Sequence, residues 1–370
     1  MTGPRYTPLV DSLPATVPFV GPETQERGMG QAFKTRLGAN ESVFGPSPQA
    51  IKAMAQAAAD TWMYGDPENH DLRHALAQHE NVSPQNIIIG EGIDGLLGYL
   101  VRMVTNPGDA IVTSDGAYPT FNYHVSGFGG LLHKVPYKED REDPAALIAK
   151  ARETQAKLIY FANPDNPMGS WHPRDVVENM VAQVPDGCVL VLDEAYSQFL
   201  PPDDLPRIDP NDPRVIRFRT FSKAYGLAGA RVGYGIAHPD LITAFNKVRN
   251  HFGMARISQA GALAALNDDA YLQSVVAQVQ QSVRSITDIA ARNGLLALPT
   301  ATNFVAIDCC QDGAFAKSVL DALIAQGVFV RMPFVSPQNR CIRVSCGTQE
   351  DMDIFAAALP EALKIAHTQI

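Results

Sequence analysis

No C-x-x-C pair occurs among the five cysteines, at 188, 309, 310, 341 and 346, and their number is odd. That excludes a disulfide framework and fits buried free thiols in a reducing cytoplasm. Long runs of one charge sign are also missing. The formal net charge is -9 without a basic tract, so no nucleic-acid partner is expected. Apolar runs such as "CVLVLDEAY" are too short to cross a bilayer. The N-terminal "MTGPRYTPLVDSLPATVPFVGPE" lacks a basic stretch leading into an apolar core, so neither a signal peptide nor a membrane partner is expected. Metal ligands are scarce: His70 and His74 share an i,i+4 spacing, but no further ligands stand nearby. A solvated helix face is the expectation there, and no metal site. Against 19% charged residues stand 46% hydrophobic ones, the balance of a packed globular enzyme. With 370 residues the chain has room for two domains.

The organisation follows from periodicity. Ser47–Pro48 reads as a helix start, a cap followed by a first-turn proline. "NHDLRHALAQHE" reads as a second helix. Strands are expected at 87–89, 110–114, 131–137, 156–164, 188–196, 215–223 and 230–237, the earlier ones alternating with helices at 93–104, 119–127, 144–152 and 173–184. Strands with few polar residues, alternating with helices, predict an α/β fold: a three-layer α/β/α large domain with a mostly parallel sheet. Beyond about 240 the pattern changes to a long helix (269–293), "TNFVAID", a helix (313–325), "GVFVR", "CIRVSC" and a last helix (349–364), which predicts a smaller α+β domain. The expected division is an N-terminal arm (1–45), a large domain (46–250) and a small domain (251–370).

The loop "IIIGEGIDGLLG" (87–98) carries G-x-G-x-x-G after a strand and before a helix, the dinucleotide fingerprint. That fingerprint also wants an acid some 20 residues on; Asp109 comes too early and Asp115 is marginal. The firmer inference is backbone N–H groups at a helix N-terminus, which bind phosphate of any owner. In "RTFSKAYGLAGARVGYG" (219–235), Lys223 lies between an apolar strand and a Gly/Ala-rich loop, a poor setting for an ordinary solvated lysine. Such an amine can form a Schiff base with an aldehyde cofactor. Ser222 and Arg231 supply a hydroxyl and a cationic fork suited to a phosphate ester. Asp193, closing a buried strand, suits a protonated pyridine nitrogen, which then acts as an electron sink. Glu194 points to the opposite face, so the two acids are not a glycosidase pair. Tyr196 and Asn166, the latter in the turn "NPDNPMG", can flank the ring's phenolic oxygen. Tyr118, in "DGAYP", either stacks on the ring or simply packs.

Together "TFSKAYGLAGARVGYG", "LDEAYSQF", "NPDNPMG", "GEGIDG" and "LGANESVFGPSP" resemble the fold-type I pyridoxal-phosphate aminotransferases of class I/II, in that family's motif order from about residue 36 onward. The closest subgroup is that of the histidinol-phosphate aminotransferases. The resemblance implies pyridoxal 5'-phosphate as cofactor and transfer of an amino group between an L-amino acid, or histidinol phosphate, and a 2-oxo acid. It implies that Lys223 is the Schiff-base lysine and proton shuttle, that Asp193 pairs with the ring nitrogen, and that Tyr196 and Asn166 hold the phenolic oxygen. Tyr118 is implied to stack on the ring, and Gly92, Ile93, Asp94, Ser222 and Arg231 to surround the phosphate. Tyr64, in "WMYGDPEN", resembles the tyrosine that reaches the neighbouring subunit's phosphate, which implies a homodimer. Arg343, in "CIRVSCGT", resembles the clamp for the substrate α-carboxylate, and Asn40 lies where the N-terminal segment enters the site.

Departures bear on the substrate. Met168 replaces the usual threonine of the asparagine turn, and Ser42 replaces an asparagine in "NES". Arg331, in "GVFVRMP", matches the subgroup's second arginine, but Phe19 stands where a substrate-phosphate tyrosine is usual. An aromatic amino acid packing on Phe19 is therefore an alternative donor, and decarboxylation or C–S cleavage is an alternative reaction. A non-catalytic regulator is disfavoured, because only about 35 Pro-rich residues precede the fold.

Overall fold

The computed structural model describes residues 3–15 and 20–369. The strands are β1 (Thr35–Arg36), β2 (Ile87–Gly90), β3 (Ala110–Ser114), β4 (Leu131–Val135), β5 (Leu158–Ala162), β6 (Val189–Asp193), β7 (Val215–Thr220), β8 (Gly233–Ala237), β9 (Leu296–Ala297), β10 (Phe304–Asp308), β11 (Val328–Phe329) and β12 (Cys341–Ser345). Seven form one sheet in the order β2-β8-β7-β6-β5-β3-β4. The run from β7 to β4 is parallel, and β8 is antiparallel to both its neighbours.

Both faces of this sheet are covered, so its strands are apolar on both sides. Residues of one parity (Ile111, Leu158, Tyr160, Val191) pack with the helices Gly92–Val104 and Pro119–Gly127. Those of the other parity (Val112, Ile159, Phe161, Leu190) pack with Pro144–Thr154 and Arg174–Ala182. This is the expected three-layer arrangement. A second apolar cluster gathers around β10 and β12 with the helices Asp269–Arg292, Gly313–Ala325 and Gln349–Gln369. The helix Arg256–Leu266 joins Pro48–Ala57 and His70–Glu80 in a further layer. Strand β1 pairs in parallel with β11, about 290 residues later.

Several strands stop short of their expected ends. β7 ends at Thr220, because the Thr220 Oγ1 accepts from the Ser222 N–H (3.0 Å) and turns the chain before Lys223. β8 begins only at Gly233, because Arg231 is left-handed (φ 53°). β6 ends at Asp193, whose Oδ1 accepts from the Ala195 N–H (2.9 Å). Each early ending frees a side chain at the carboxyl edge of the sheet, where ligands of open α/β sheets bind. No helix of the described residues is long and apolar enough to cross a membrane.

Candidate active site

At that edge a cavity of about 320 Å³ is lined by Asp94, Tyr118, Asp193, Tyr196, Ser222 and Lys223, with Ile93, Asn166 and Arg231 also on its wall. A second cavity of about 250 Å³ shares Tyr118, Asn166 and Lys223 with it and adds Asn40, Arg331 and Arg343. Two expected residues lie elsewhere or beyond view. Tyr64 borders neither cavity: its side chain is 76% exposed and its ring sits 4.8 Å from that of Phe252. Phe19 lies outside the described residues.

One end of the first cavity is a helix N-terminus. Gly92–Val104 starts on Glu91 without a side-chain cap, leaving its first N–H groups for another acceptor. Gly92 has φ +76°, and a Cβ there would stand 2.5 Å from Arg231 Nη2, so only glycine lets the guanidinium approach the turn. Asp94 is held by His124, Nε2 to Oδ1 at 2.8 Å.

Lys223 Nζ donates to the Asn40 carbonyl (3.1 Å) and lies 5.6 Å from the Tyr196 ring centre. Burial, and then the positive charges of Arg343 and Arg231, pull the amine down to about 8. Asp193 accepts from Tyr160 through Oδ2 (2.6 Å) and from the Ala195 N–H through Oδ1. Burial raises its pKa, while Tyr160, the Ala195 N–H and Lys223 oppose the rise. Burial likewise pushes the Tyr196 phenol up, and its oxygen accepts from Asn40 Nδ2 (3.2 Å). Tyr118 is raised by burial too, with Asp94 and Asp193 adding to the effect.

Asn40 (φ 55°) joins the two halves of the site. Its Oδ1 accepts from Ser345 Oγ (2.8 Å), and its carbonyl accepts from both Lys223 and Asn303 Nδ2 (3.1 Å). Arg343 donates to Asn166 Oδ1 and to the Gly38 carbonyl (3.2 Å). Its Nε is buried without a partner among the described residues. Arg331 bridges backbone to backbone with Arg343 and donates through Nη2 to the Val20 carbonyl. Among the described residues neither arginine has a carboxylate partner, and burial holds both below the ordinary guanidinium value. Two cations so placed provide for an anion on the ligand.

Tyr160, Ser345, Asn303 and His124 escaped the sequence reading. Strand parity offered one signal, since Tyr160 shares a face with Ala162 opposite Asp193. A buried acid pair behind the site was missed as well. Asp165 accepts from Tyr137 (2.8 Å) and the Met168 N–H (3.1 Å), and Glu142 pairs with Ser114 (2.6 Å). Burial pushes both carboxyls well above the usual range, and the Asp165 charge raises Glu142 further. The folded chain thus keeps protons that the unfolded chain has released, so stability falls as pH rises through the raised values. Asp165→Asn keeps an acceptor for Met168 and gives Tyr137 a donor. Its melting temperature is expected to drop less than that of the unaltered protein between about pH 5 and about pH 8. Equal drops would contradict the assignment.

The His70 and His74 rings lie 4.1 Å apart at their centres, tilted by 39°, and His74 Nδ1 lies 2.8 Å from the His70 carbonyl. Among the described residues no cluster of three or more metal-ligating side chains occurs.

The profile of the family "Aminotransferase class I and II" matches residues 33–359. The histidinol-phosphate aminotransferase of Moorella thermoacetica is 34% identical over 366 residues, covering 98% of this chain and 94% of its own. Histidinol-phosphate aminotransferase 2 of Carboxydothermus hydrogenoformans is 33% identical, covering 96% and 98%. Among solved structures, the histidinol-phosphate aminotransferase of Sinorhizobium meliloti in complex with pyridoxal-5'-phosphate superposes with a TM-score of 0.95 at 54% identity, covering 98% of both chains. The chain therefore belongs to the class I and II aminotransferases.

Proposed function

We propose that the chain is a pyridoxal-5'-phosphate-dependent aminotransferase that moves an amino group between an L-amino acid, or histidinol phosphate, and a 2-oxo acid. The observation that carries this reading is the convergence on one cavity of a lysine of lowered basicity, a buried carboxylate and a helix N-terminus, with Arg331 and Arg343 alongside. The cavity fits the cofactor by the chemistry of its donors. The N–H groups at Gly92–Asp94, with Ser222 and Arg231, would hold the phosphate. Asp193 would face the ring nitrogen, Tyr196 and Asn166 the phenolic oxygen, and Tyr118 the ring. The bound cofactor supplies the electron sink that makes a proton on the substrate's α-carbon labile.

The chain's own groups do the rest. At about 8, the Lys223 amine has a neutral fraction near pH 7 roughly two orders of magnitude above that of a solvated lysine. Its Nζ is the base that takes the α-proton and returns it. Arg343, already oriented by Asn166 and the Gly38 carbonyl, receives a substrate carboxylate. Asn40, tied to Ser345 and Asn303, closes the wall beside Lys223 and keeps water from the amine.

Histidinol phosphate as amino donor is tested with Arg331→Ala. The expected result is a KM for histidinol phosphate raised about 10- to 100-fold, the value of a charge-assisted contact, with little change for donors lacking phosphate. Unchanged histidinol-phosphate turnover would remove Arg331 as the phosphate contact, and absence of that turnover in the unaltered protein would remove the substrate from the reading. Scoring a panel of amino donors by loss of the aldehyde absorbance tests transamination itself.

The assembly belongs to the same reading. Trp62, Tyr64 and Phe252 are 80%, 76% and 55% exposed, an apolar surface suited to a second copy whose phosphate site Tyr64 would reach. A monomeric mass in sedimentation would refute the homodimer. The five free thiols suit a cytoplasmic enzyme. An arm (1–45), a cofactor-binding unit (46–250) and a smaller unit (251–370) complete the proposal, with the helix Arg256–Leu266 packing back across the second boundary.

A further inference from the structure

Asp193 faces a conflict. It sits at 6% exposure, where burial favours the neutral acid, yet its proposed task requires an anion. Two donors keep it ionised: the Ala195 N–H on Oδ1, and the Tyr160 hydroxyl on Oδ2 at 2.6 Å. Of the influences that lower its pKa, the Tyr160 hydrogen bond is the largest, ahead of the Ala195 N–H and the charge of Lys223.

Tyr160 is built for a fixed position. It is fully buried on β5, two residues before Ala162, which pairs with Asp193 in the parallel ladder. Its ring stacks on Phe121, with centroids 4.7 Å apart and planes 18° from parallel. It also lines the cavity that holds Lys223. Burial and the Asp193 charge keep the phenol protonated well beyond its ordinary range, so it donates at every working pH.

The geometry points to Tyr160 as a positioning residue that locks the Asp193 carboxylate in orientation and in charge, and through it the protonation of the cofactor's ring nitrogen. This inference rests on the proposed cofactor reading. The other groups that bear on Asp193 are Lys223, Glu194, Tyr118, Tyr196 and Glu142. Glu194 and Glu142 bear on it through charge, whereas Tyr160 places its hydroxyl directly on Oδ2.

Tyr160→Phe keeps the ring and its stacking and removes only the hydroxyl. The protein reconstituted with pyridoxal 5'-phosphate is followed by absorbance against pH, by cofactor affinity and by steady-state rates. The expected result is a shifted pH midpoint of the cofactor band, cofactor binding weakened about 10- to 100-fold and kcat lowered by a similar factor at unchanged KM for the donor. In an Asp193→Asn background the same change should cost less than about twofold, because the hydroxyl acts through the carboxylate. Tyr137→Phe, which removes a half-buried phenol serving Asp165 instead, should leave midpoint and affinity in place.

A Tyr160→Phe protein with unaltered midpoint and affinity would overturn the inference. So would an equal loss in the Asp193→Asn background, which would mark Tyr160 as mere packing. Failure of the unaltered protein to take up pyridoxal 5'-phosphate would instead overturn the proposed function, and the inference with it.

Discussion

Lys223→Ala is expected to lower transamination by about 10⁴-fold or more, because it removes both the covalent anchor and the α-proton base in one step. The fold should survive. Among the described residues the Lys223 amine makes a single hydrogen bond, to the Asn40 carbonyl, and it stands near the cations Arg343 and Arg231. Removing a half-buried cation from that surrounding should leave the melting temperature level or slightly higher. Two measurements check this: the absorbance of lysine-bound cofactor, expected to vanish, and thermal unfolding of the cofactor-free protein, expected to change little. Added small amines restoring part of the rate would confirm a proton-transfer role. Turnover within tenfold of the unaltered protein would refute it.

Glu194→Ala is expected to act on stability with comparable force while leaving chemistry alone. Glu194 follows Asp193 on the chain, and its side chain leaves the opposite face of the sheet. Its carboxylate is fully buried and accepts from Arg217 Nε (3.1 Å) and Nη2 (2.9 Å), and from Arg219 Nε (2.8 Å). Arg219 continues to Glu80 (2.7 Å), which also accepts from Tyr234 (2.6 Å). Removing Glu194 takes from Arg217 the only acid paired with it among the described residues. It leaves Arg219 with Glu80 alone. Breaking such a buried pair costs about 3–5 kcal/mol, a large share of the 5–15 kcal/mol of a typical domain. Denaturant unfolding should show that loss, with kcat per folded molecule near normal at low temperature. A loss below about 1 kcal/mol would mean that water enters to solvate the arginines.

The contrast between these neighbours explains what was legible in the sequence. Asp193, Lys223, Asn166 and Arg231 stand out because a charged or amide residue at the end of an apolar strand has few uses other than a ligand. The parallel sheet was legible for a related reason, since strands covered on both faces carry an unbroken apolar run that amphipathic patterns lack. Tyr160 was not legible: inside "LIYFA" an aromatic residue reads as core, and its hydroxyl acquires meaning only beside Asp193, 33 residues away. His124 and Asp94 are likewise 30 residues apart, and Ser345 meets Asn40 across 305. The strand ends were overrun where side chains decide the turn: "TFSK" continues an alternating pattern, and the Thr220 hydroxyl, bonded to the Ser222 amide, turns the chain out of it. The glycine fingerprint predicted a phosphate site at a helix N-terminus while leaving its owner open. What narrows the owner is the set of residues folded around that helix.

The pairing of β1 with β11 carries a consequence for how the chain is made. Thr35 and Arg36 align with Val328 and Phe329, the Leu37 N–H donates to the Phe329 carbonyl (2.7 Å), and the Ser345 N–H donates to the Leu37 carbonyl (2.7 Å). The segment bearing Asn40 thus leaves the ribosome about 290 residues ahead of its strand partners. All seven strands of the large sheet are synthesised before Phe329 exists. At about 5–20 residues per second, the N-terminal segment waits on the order of 15 s to a minute for its place. During translation the pocket around Lys223 therefore stays open on one side until the segment from Val328 to Ser345 has been made.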